Sequence, residues 1–455
     1  MTSVEALALR CLLPGFEGTV APEWVRRRVA QGLGGVVLFG RNVESDEQVR
    51  ALTAALHAER ADLVVAIDEE GGDVTRLDAR TGSRYPGNLA LGAAGDPSLT
   101  AEVAAEIGER LAGVGVNLNL APVADVNTNP QNPIIGVRSF GSDPVAVAEH
   151  TAAWVQGMQG AGVAACAKHF PGHGDTSVDS HHALPSGKEE LSPFKAAIGA
   201  GVRAIMSAHI VVPSIDDQPA TISPRVMTGL LRDELGFEGV AVTDGLEMGA
   251  LSGGRSVAGG AVLALAAGCD ALCVGGGLRG EDVVDELVAA IVRAVRDGLL
   301  SEERLAQAVS RMELLSTPLA GKSATKPREG ASWLVARRAI RAEGNVTIGD
   351  EAVVIRLDSP SSMAAGDVPW GMADALAARG VRISESGGRL VITVRDLHRQ
   401  PQNQARVASL LEHHPDAVLV EMGVPICRPQ GARNYLATHG SARVCAEAAA
   451  AVMRP

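Results

Sequence analysis

Through the first 315 residues, short apolar runs alternate with stretches in which apolar residues recur every three to four positions. The apolar runs are ALRCLLPGF (8–16), GGVVLFG (34–40), LVVAIDEEGG (63–72), GVNLNLAPVADV (115–126), VAACAKHF (163–170), RAIMSAHIVV (203–212), GVAVTDGLEM (239–248) and DALCVGGG (270–277). Their length and their Val, Ile and Leu content predict strands. Between them PEWVRRRVAQGL, DEQVRALTAALHAERA, PSLTAEVAAEIGERLAGVG and SPRVMTGLLRDELG carry the period of amphipathic helices. Eight strand-then-helix units in succession predict an α/β fold, a (β/α)8 TIM-type barrel rather than an open sheet.

The rhythm stops at STPLAGKSATKPREGASW (316–333), where Pro, Gly, Ser and charge predict a linker. Beyond it NVTIG, EAVVIRL, RLVITVRDL and DAVLVEMGVP read as strands, and WGMADALAARG, NQARVASLLEHH and SARVCAEAAAAVMR as helices. The expected organisation is a barrel over 1–315, a linker over 316–333 and a smaller C-terminal α/β layer domain over 334–455.

Composition narrows the function class. No segment approaches eighteen uninterrupted apolar residues, so no membrane span is predicted. A net charge of −12 argues against nucleic acid or an anionic membrane as the main partner. The opening MTSVEALALRCLLPGFEG has Glu5 and no basic segment ahead of its apolar run, which predicts no secretory signal and a cytoplasmic location. Cys11, Cys166, Cys269, Cys273, Cys427 and Cys445 form no C-x-x-C pair and read as buried free thiols.

Chemistry gathers at strand ends. Asp68, Asp125, Lys168–His169, His209 and Asp244 each directly follow the apolar part of a strand. In such a barrel the C-terminal strand ends form the catalytic face. The fifth strand runs into KHFPGHGDTSVDSHHALP (168–185), too polar for a core strand and too broken for a helix. Lys168 and His169 can donate hydrogen bonds to hydroxyls held above the barrel. Asp179 and His181, two apart, can pair so that the carboxylate orients the imidazole and raises its basicity. Two plainer or rival readings stand beside this one. Loop Asp, Ser and His often cap turns, and His169, His173, His181, His182 and His209 with Asp175 and Asp244 offer a ligand set for zinc. The lack of an early H-x-H and of H-E-x-x-H weighs against a metal, so neither metal nor cofactor is expected.

This loop resembles the signature of bacterial β-N-acetylglucosaminidases of glycoside hydrolase family 3. AIDEEGGDVTRL, NLAPVADVN, NPIIGVRSFGSDP, IMSAHIVVP and GVAVTDGLEMGA are similar to that family's blocks, in the same order, across residues 10–315. VEMGVP with THGSAR resembles the second domain of its longer members. The resemblance implies a retaining exo-β-N-acetylglucosaminidase with Asp244 as nucleophile and a covalent glycosyl-enzyme. It implies His181, held by Asp179, as acid/base, and Asp68, Arg76, Arg138, Lys168 and His169 as the grip on the terminal sugar. His209, His173 and Asp175 are read as network residues that orient Lys168, His169 or Asp244, while His57, His150 and His182 are read as ordinary. The chain departs from the family pattern at Glu69, Val137 and Gly245, none of them a reacting group.

Aromatic residues make up 3% of the chain, too few for the stacking rows of an enzyme that slides along polysaccharide. A closed pocket for one terminal sugar is expected instead. The resemblance implies a small saccharide or muropeptide substrate from recycled cell wall, with no nucleic-acid or membrane partner. Phosphate in place of water stays open as the acceptor. A neutral histidine does not repel phosphate as a carboxylate would, and Lys168, Arg76 and Arg138 are expected to keep the pocket electropositive. A metal-dependent barrel hydrolase is the remaining alternative.

Overall fold

A computed structural model describes residues 3–181, 184–252, 256–277, 280–317, 319, 328 and 330–455. The expected strands are all present as short segments: β1 (Leu12–Pro14), β2 (Gly35–Leu38), β3 (Val64–Ile67), β4 (Leu118–Asn119), β5 (Ala164–Phe170), β6 (Ala204–Ser207), β7 (Val240–Thr243) and β8 (Leu272–Val274). β2 to β7 form one parallel ladder in chain order. β8 joins β7 through the parallel bridge Val242–Ala271 and pairs with β1. At the remaining seam the Gly34 N–H donates to the Leu9 carbonyl at 3.1 Å, which sets β1 beside β2. The eight strands thus follow one another around a barrel.

Every residue of these strands is buried, and their side chains alternate between two cores. Leu13, Val37, Val64, Ala66, Cys166 and Val242 belong to the cluster inside the ring, which Met312 and Leu315 of the helix Glu302–Ser316 complete. Their strand neighbours Leu12, Val36, Val65, Ile67, Ala165 and Ala241 belong to the cluster between strands and surrounding helices. Period-two alternation and burial on both faces explain the nearly continuous apolar runs. Capping marks the helix starts. Asp96 accepts from the Ser98 and Leu99 N–H groups ahead of Pro97, and Asp143 accepts from the Val145 N–H ahead of Pro144.

The C-terminal part is a six-stranded sheet of β9 (Arg341–Glu343), β10 (Glu351–Arg356), β11 (Arg382–Ile383), β12 (Arg389–Val394), β13 (Val418–Glu421) and β14 (Asn434–Ala437). Its order is β11-β10-β12-β13-β14-β9, parallel except for β9. Val391, Val418 and Leu436 pack on one face, and Ile392, Leu419 and Tyr435 on the other.

Several local expectations are corrected. The first third of 8–16 is the end of a helix, Val4–Arg10, capped by the Ser3 hydroxyl. Arg225–Glu234 winds as a π-helix. NVTIG pairs with no strand, because Asn345 and Thr347 are tied into a turn by side-chain amides of Asn434 and Asn345. β9, β11 and β14 are two to four residues long, too short to show a period. The segment 316–333 lies largely outside the described residues, and a helix, Ala331–Ala339, starts within it. The six cysteines are free, five of them buried. Among the described residues no helix is long and apolar enough to cross a membrane.

Candidate active site

The inward alternation of the strands runs on past their ends into polar residues. Val64 and Ala66 are followed by Asp68, Ala164 and Cys166 by Lys168, and Val240 and Val242 by Asp244. All three line one cavity of about 420 Å3, whose floor is the upper layer of the barrel core, including Val37, Leu120, Met206 and Cys273. His169 would face outward by the same count, yet it too lines the cavity. β5 slips in register against β6 between Lys168 and Phe170, and this irregularity turns both side chains into the site.

The residues expected to grip the sugar form one network. The Lys168 ammonium lies 2.7 Å from Asp68 and 2.8 Å from Glu70. Arg138 donates to Glu70 through two nitrogens, at 3.0 and 2.8 Å. Arg76 lies 3.7 Å from Asp68 and donates to the Ala364 carbonyl, from the C-terminal sheet domain, at 2.9 Å. Burial alone would raise the Glu70 carboxyl, but Arg138 and Lys168 hold it far below the usual carboxylate range. Burial pulls Lys168 down, and the carboxylates of Asp68 and Glu70 more than offset it, so the ammonium is held charged.

His169 donates from Nδ1 to Asp125 at 2.7 Å, and Asp125 also accepts from the His173 backbone N–H at 2.7 Å. Asp125 is fully buried. Burial would raise its carboxyl, yet the two histidines bring the net shift down. His173 lines the cavity as well, and burial pushes its imidazole down to about 4, so it stays neutral. His181 donates from Nδ1 to Asp179 at 2.7 Å, while the Asp179 carboxylate also accepts the His181 backbone N–H. With Nδ1 fixed as the donor, Nε2 is the nitrogen left for proton transfer.

Asp244 follows β7 and accepts from the Gly245 N–H at 2.8 Å. Burial works to raise its carboxyl, but His169, His209, His181 and that N–H together bring it down to about 2. It is an anion throughout the neutral range. His209 lies behind the cavity, fully buried, where its Nε2 donates to the Gly245 carbonyl at 2.9 Å and so fixes the peptide beside Asp244.

Two further expectations are corrected. Asp175 is exposed, and it accepts from the Thr128 hydroxyl at 3.3 Å rather than orienting Lys168, His169 or Asp244. The pocket is also not electropositive. Its cations Arg76, Arg138 and Lys168 face the anions Asp68, Glu70, Asp244 and Glu247. Glu70 is the residue that sequence reasoning missed, although it stands one inward step beyond Asp68. Also missed were Glu247, anchored by the Gly275 and Gly277 N–H groups, and the C-terminal contributions Met363 and Ala364. Among the plain histidines, His57 bonds the Gly115 carbonyl and His150 bonds Thr100, while His182 lies outside the described residues. Of the family departures, Glu69 is buried, and one of its carboxylate oxygens accepts the Arg76 and Leu77 N–H groups, so it shapes the turn below the site. Among the described residues no cluster of three or more His, Cys, Asp or Glu is arranged to hold a metal.

Glu70→Gln should separate the two cations from their shared anion. Breaking a buried pair typically costs about 3–5 kcal/mol, so denaturant unfolding should show a loss of that order. Steady-state kinetics should show a fall in kcat/KM carried mainly by KM, since Arg138 and Lys168 lose their fixed positions.

Known proteins resemble this chain throughout. Residues 19–315 match the model of the glycosyl hydrolase family 3 N-terminal domain. Beta-hexosaminidase A of Pseudoalteromonas piscicida is 33% identical over 389 residues, which span 75% of this chain and 65% of that protein. Beta-hexosaminidase of Nitrosomonas eutropha is 37% identical over 297 residues, covering 62% of this chain and 84% of its own length. A solved glycoside hydrolase family 3 beta-N-acetylglucosaminidase from Paenibacillus sp. FPU-7 superposes with a TM-score of 0.89 at 32% identity, covering 100% of this chain and 97% of its own. The chain belongs to glycosyl hydrolase family 3, with its barrel as the family's N-terminal domain.

Proposed function

We propose that the protein is a retaining, exo-acting β-N-acetylglucosaminidase that removes terminal GlcNAc from cell-wall-derived saccharides in the cytoplasm. The observation that carries this reading is the placement of an ionised carboxylate, Asp244, and a carboxylate-held imidazole, His181, in the lining of one small cavity. The relatives' names supply the sugar. In the first step an Asp244 oxygen bonds to the anomeric carbon as the glycosidic bond breaks, and the leaving oxygen takes the Nε2 proton of the His181 imidazolium. In the second step water attacks the same carbon, gives its proton back to Nε2, and the bond to Asp244 breaks. Asp179 stabilises the imidazolium that enters the first step and is restored by the second, and keeps the ring turned throughout. Asp68, Arg76, Arg138, Lys168 and His169 hold the sugar hydroxyls.

The near balance of charge in the cavity favours water over phosphate. Each cation that could attract phosphate already faces a carboxylate, and Asp244 and Glu247 add negative charge. Incubation with a p-nitrophenyl sugar panel, with and without millimolar phosphate, should give GlcNAc as the main product, from the GlcNAc glycoside alone. GlcNAc-1-phosphate as the major product would replace the hydrolase reading with a phosphorylase.

A further inference from the structure

Residues 177–181, which carry the histidine–aspartate pair, belong to no strand or helix. A group that transfers protons from such a segment needs ties to a rigid frame, because small misplacements cost rate. On one side the His181 carbonyl accepts the Gly249 N–H at 3.2 Å, from the segment that follows Asp244. On the other side the tie is Ser180, whose hydroxyl lies 3.2 Å from His173 Nε2. The neighbouring atoms fix the direction of that bond. The Thr176 hydroxyl donates to the His173 carbonyl at 2.9 Å, which uses its single proton. At 2.6 Å it therefore accepts from His173 Nδ1, and Nδ1 carries the ring proton. Nε2 is then a bare acceptor, and the Ser180 O–H donates to it. Burial, which pushes the imidazole down to about 4, keeps this tautomer uncharged.

His173 in turn stands on the barrel. Its backbone N–H donates to Asp125 at 2.7 Å, the same carboxylate that holds the His169 ring. Its carbonyl also accepts from the Asn132 amide at 2.8 Å. The next residue, Gly174, packs its Cα so closely on the Val126 carbonyl that a Cβ would collide, which seats this backbone on the loop after β4. His173, Thr176 and Ser180 are all buried, so these bonds are shielded from competing water.

We infer that His173 is a positioning residue for the acid/base: it brackets Ser180, and so fixes the segment Asp179–Ser180–His181 over the sugar pocket. The inference rests on reading His181 as the acid/base and adds what holds it in place. It also separates two imidazoles that line the same cavity. With Nδ1 bonded to Thr176 and Nε2 to Ser180, His173 keeps no nitrogen for the substrate, and the Ser180 proton is likewise engaged. His181 spends only Nδ1, on Asp179. Through Asp125 the bracket shares its footing with His169, so the acid/base and one member of the sugar grip are registered to a single buried carboxylate.

The test uses the full-length enzyme and two GlcNAc β-glycosides, one with a poor alkyl or sugar leaving group and the p-nitrophenyl compound. An asparagine amide reaches about as far as Nδ1 and a glutamine amide about as far as Nε2, so substitutions at His173 can divide its two bonds. Ser180→Ala and His173→Asn both remove the Ser180–Nε2 bond. Each should lower kcat/KM on the poor leaving group by roughly tenfold, the order of one net hydrogen bond. The p-nitrophenyl glycoside needs little protonation and should lose less, by at least about threefold. The inhibition constant of free GlcNAc should stay within about twofold of wild type, because the cations and carboxylates of the sugar grip keep their places. His173→Gln keeps an acceptor for Ser180 and should recover much of what His173→Asn loses. The double variant Ser180→Ala/His173→Asn should be no slower than the slower single one, since both remove the same bond. Wild-type rates in Ser180→Ala would overturn the inference, as would equal losses on both glycosides, a raised inhibition constant or additive losses in the double variant. If His181→Ala itself shows no dependence on the leaving group, the acid/base reading fails, which is a separate result.

Discussion

Asp244→Asn should lower kcat by roughly four orders of magnitude while leaving the fold intact, the size of loss seen when a covalent nucleophile is removed. The side chain keeps its shape and one of its acceptors, so the Gly245 N–H retains a partner and β7 loses no packing. What disappears is the anion proposed to bond the anomeric carbon. Glycosyl–enzyme trapping by a slow 2-fluoro sugar should mark Asp244 in the wild type and nothing in the variant. The pH profile adds an independent check. Because its surroundings bring Asp244 down to about 2, it is ionised across the neutral and mildly acidic range, and an acid limb of kcat/KM in that range should not arise from Asp244. Circular dichroism and a thermal midpoint close to wild type would exclude unfolding as the cause. Retention of more than about a tenth of the activity would remove Asp244 from the role.

The barrel and much of its site were legible in the sequence because period-two alternation carries two kinds of information. It marks the strands, and, counted on past the last apolar residue, it marks which polar side chains turn inward: 64–66–68, 164–166–168 and 240–242–244. The same count taken one step further reaches Glu70, which holds Arg138 and Lys168 together. His169 breaks the count because β5 slips there, and no local pattern announces a slip. Asp175 failed for a different reason. Its place in a crowded polar loop suggested a role, but the chain turns at Gly174, whose Cα packs so closely on the Val126 carbonyl that a side chain would collide with it. The next side chain, Asp175, is exposed. Met363 and Ala364 were out of reach altogether, since a contact such as Arg76 to Ala364, 288 residues apart, leaves no mark in either segment.

The dyad gives the second large effect, and its signature is a dependence on the leaving group rather than a uniform loss. His181→Ala should reduce kcat/KM by roughly 10³-fold on a saccharide whose departing oxygen is a poor leaving group, in keeping with the contribution of a positioned general acid. On an activated aryl glycoside the first step needs little protonation, so the loss there should be smaller by at least about tenfold. The second step still needs a base for water, and the glycosyl–Asp244 ester should therefore accumulate, visible as a burst of aryl alcohol followed by slow turnover. Azide, an anion that attacks without giving up a proton, should restore that turnover and yield the β-azide. Asp179→Ala should act in the same direction but more mildly. The imidazole remains, but it loses the 2.7 Å contact that fixes its Nδ1 proton and steadies its positive charge. Equal losses on both classes of leaving group, with no rescue by azide, would assign the proton transfers to another residue of the pocket and leave His181 as part of the wall.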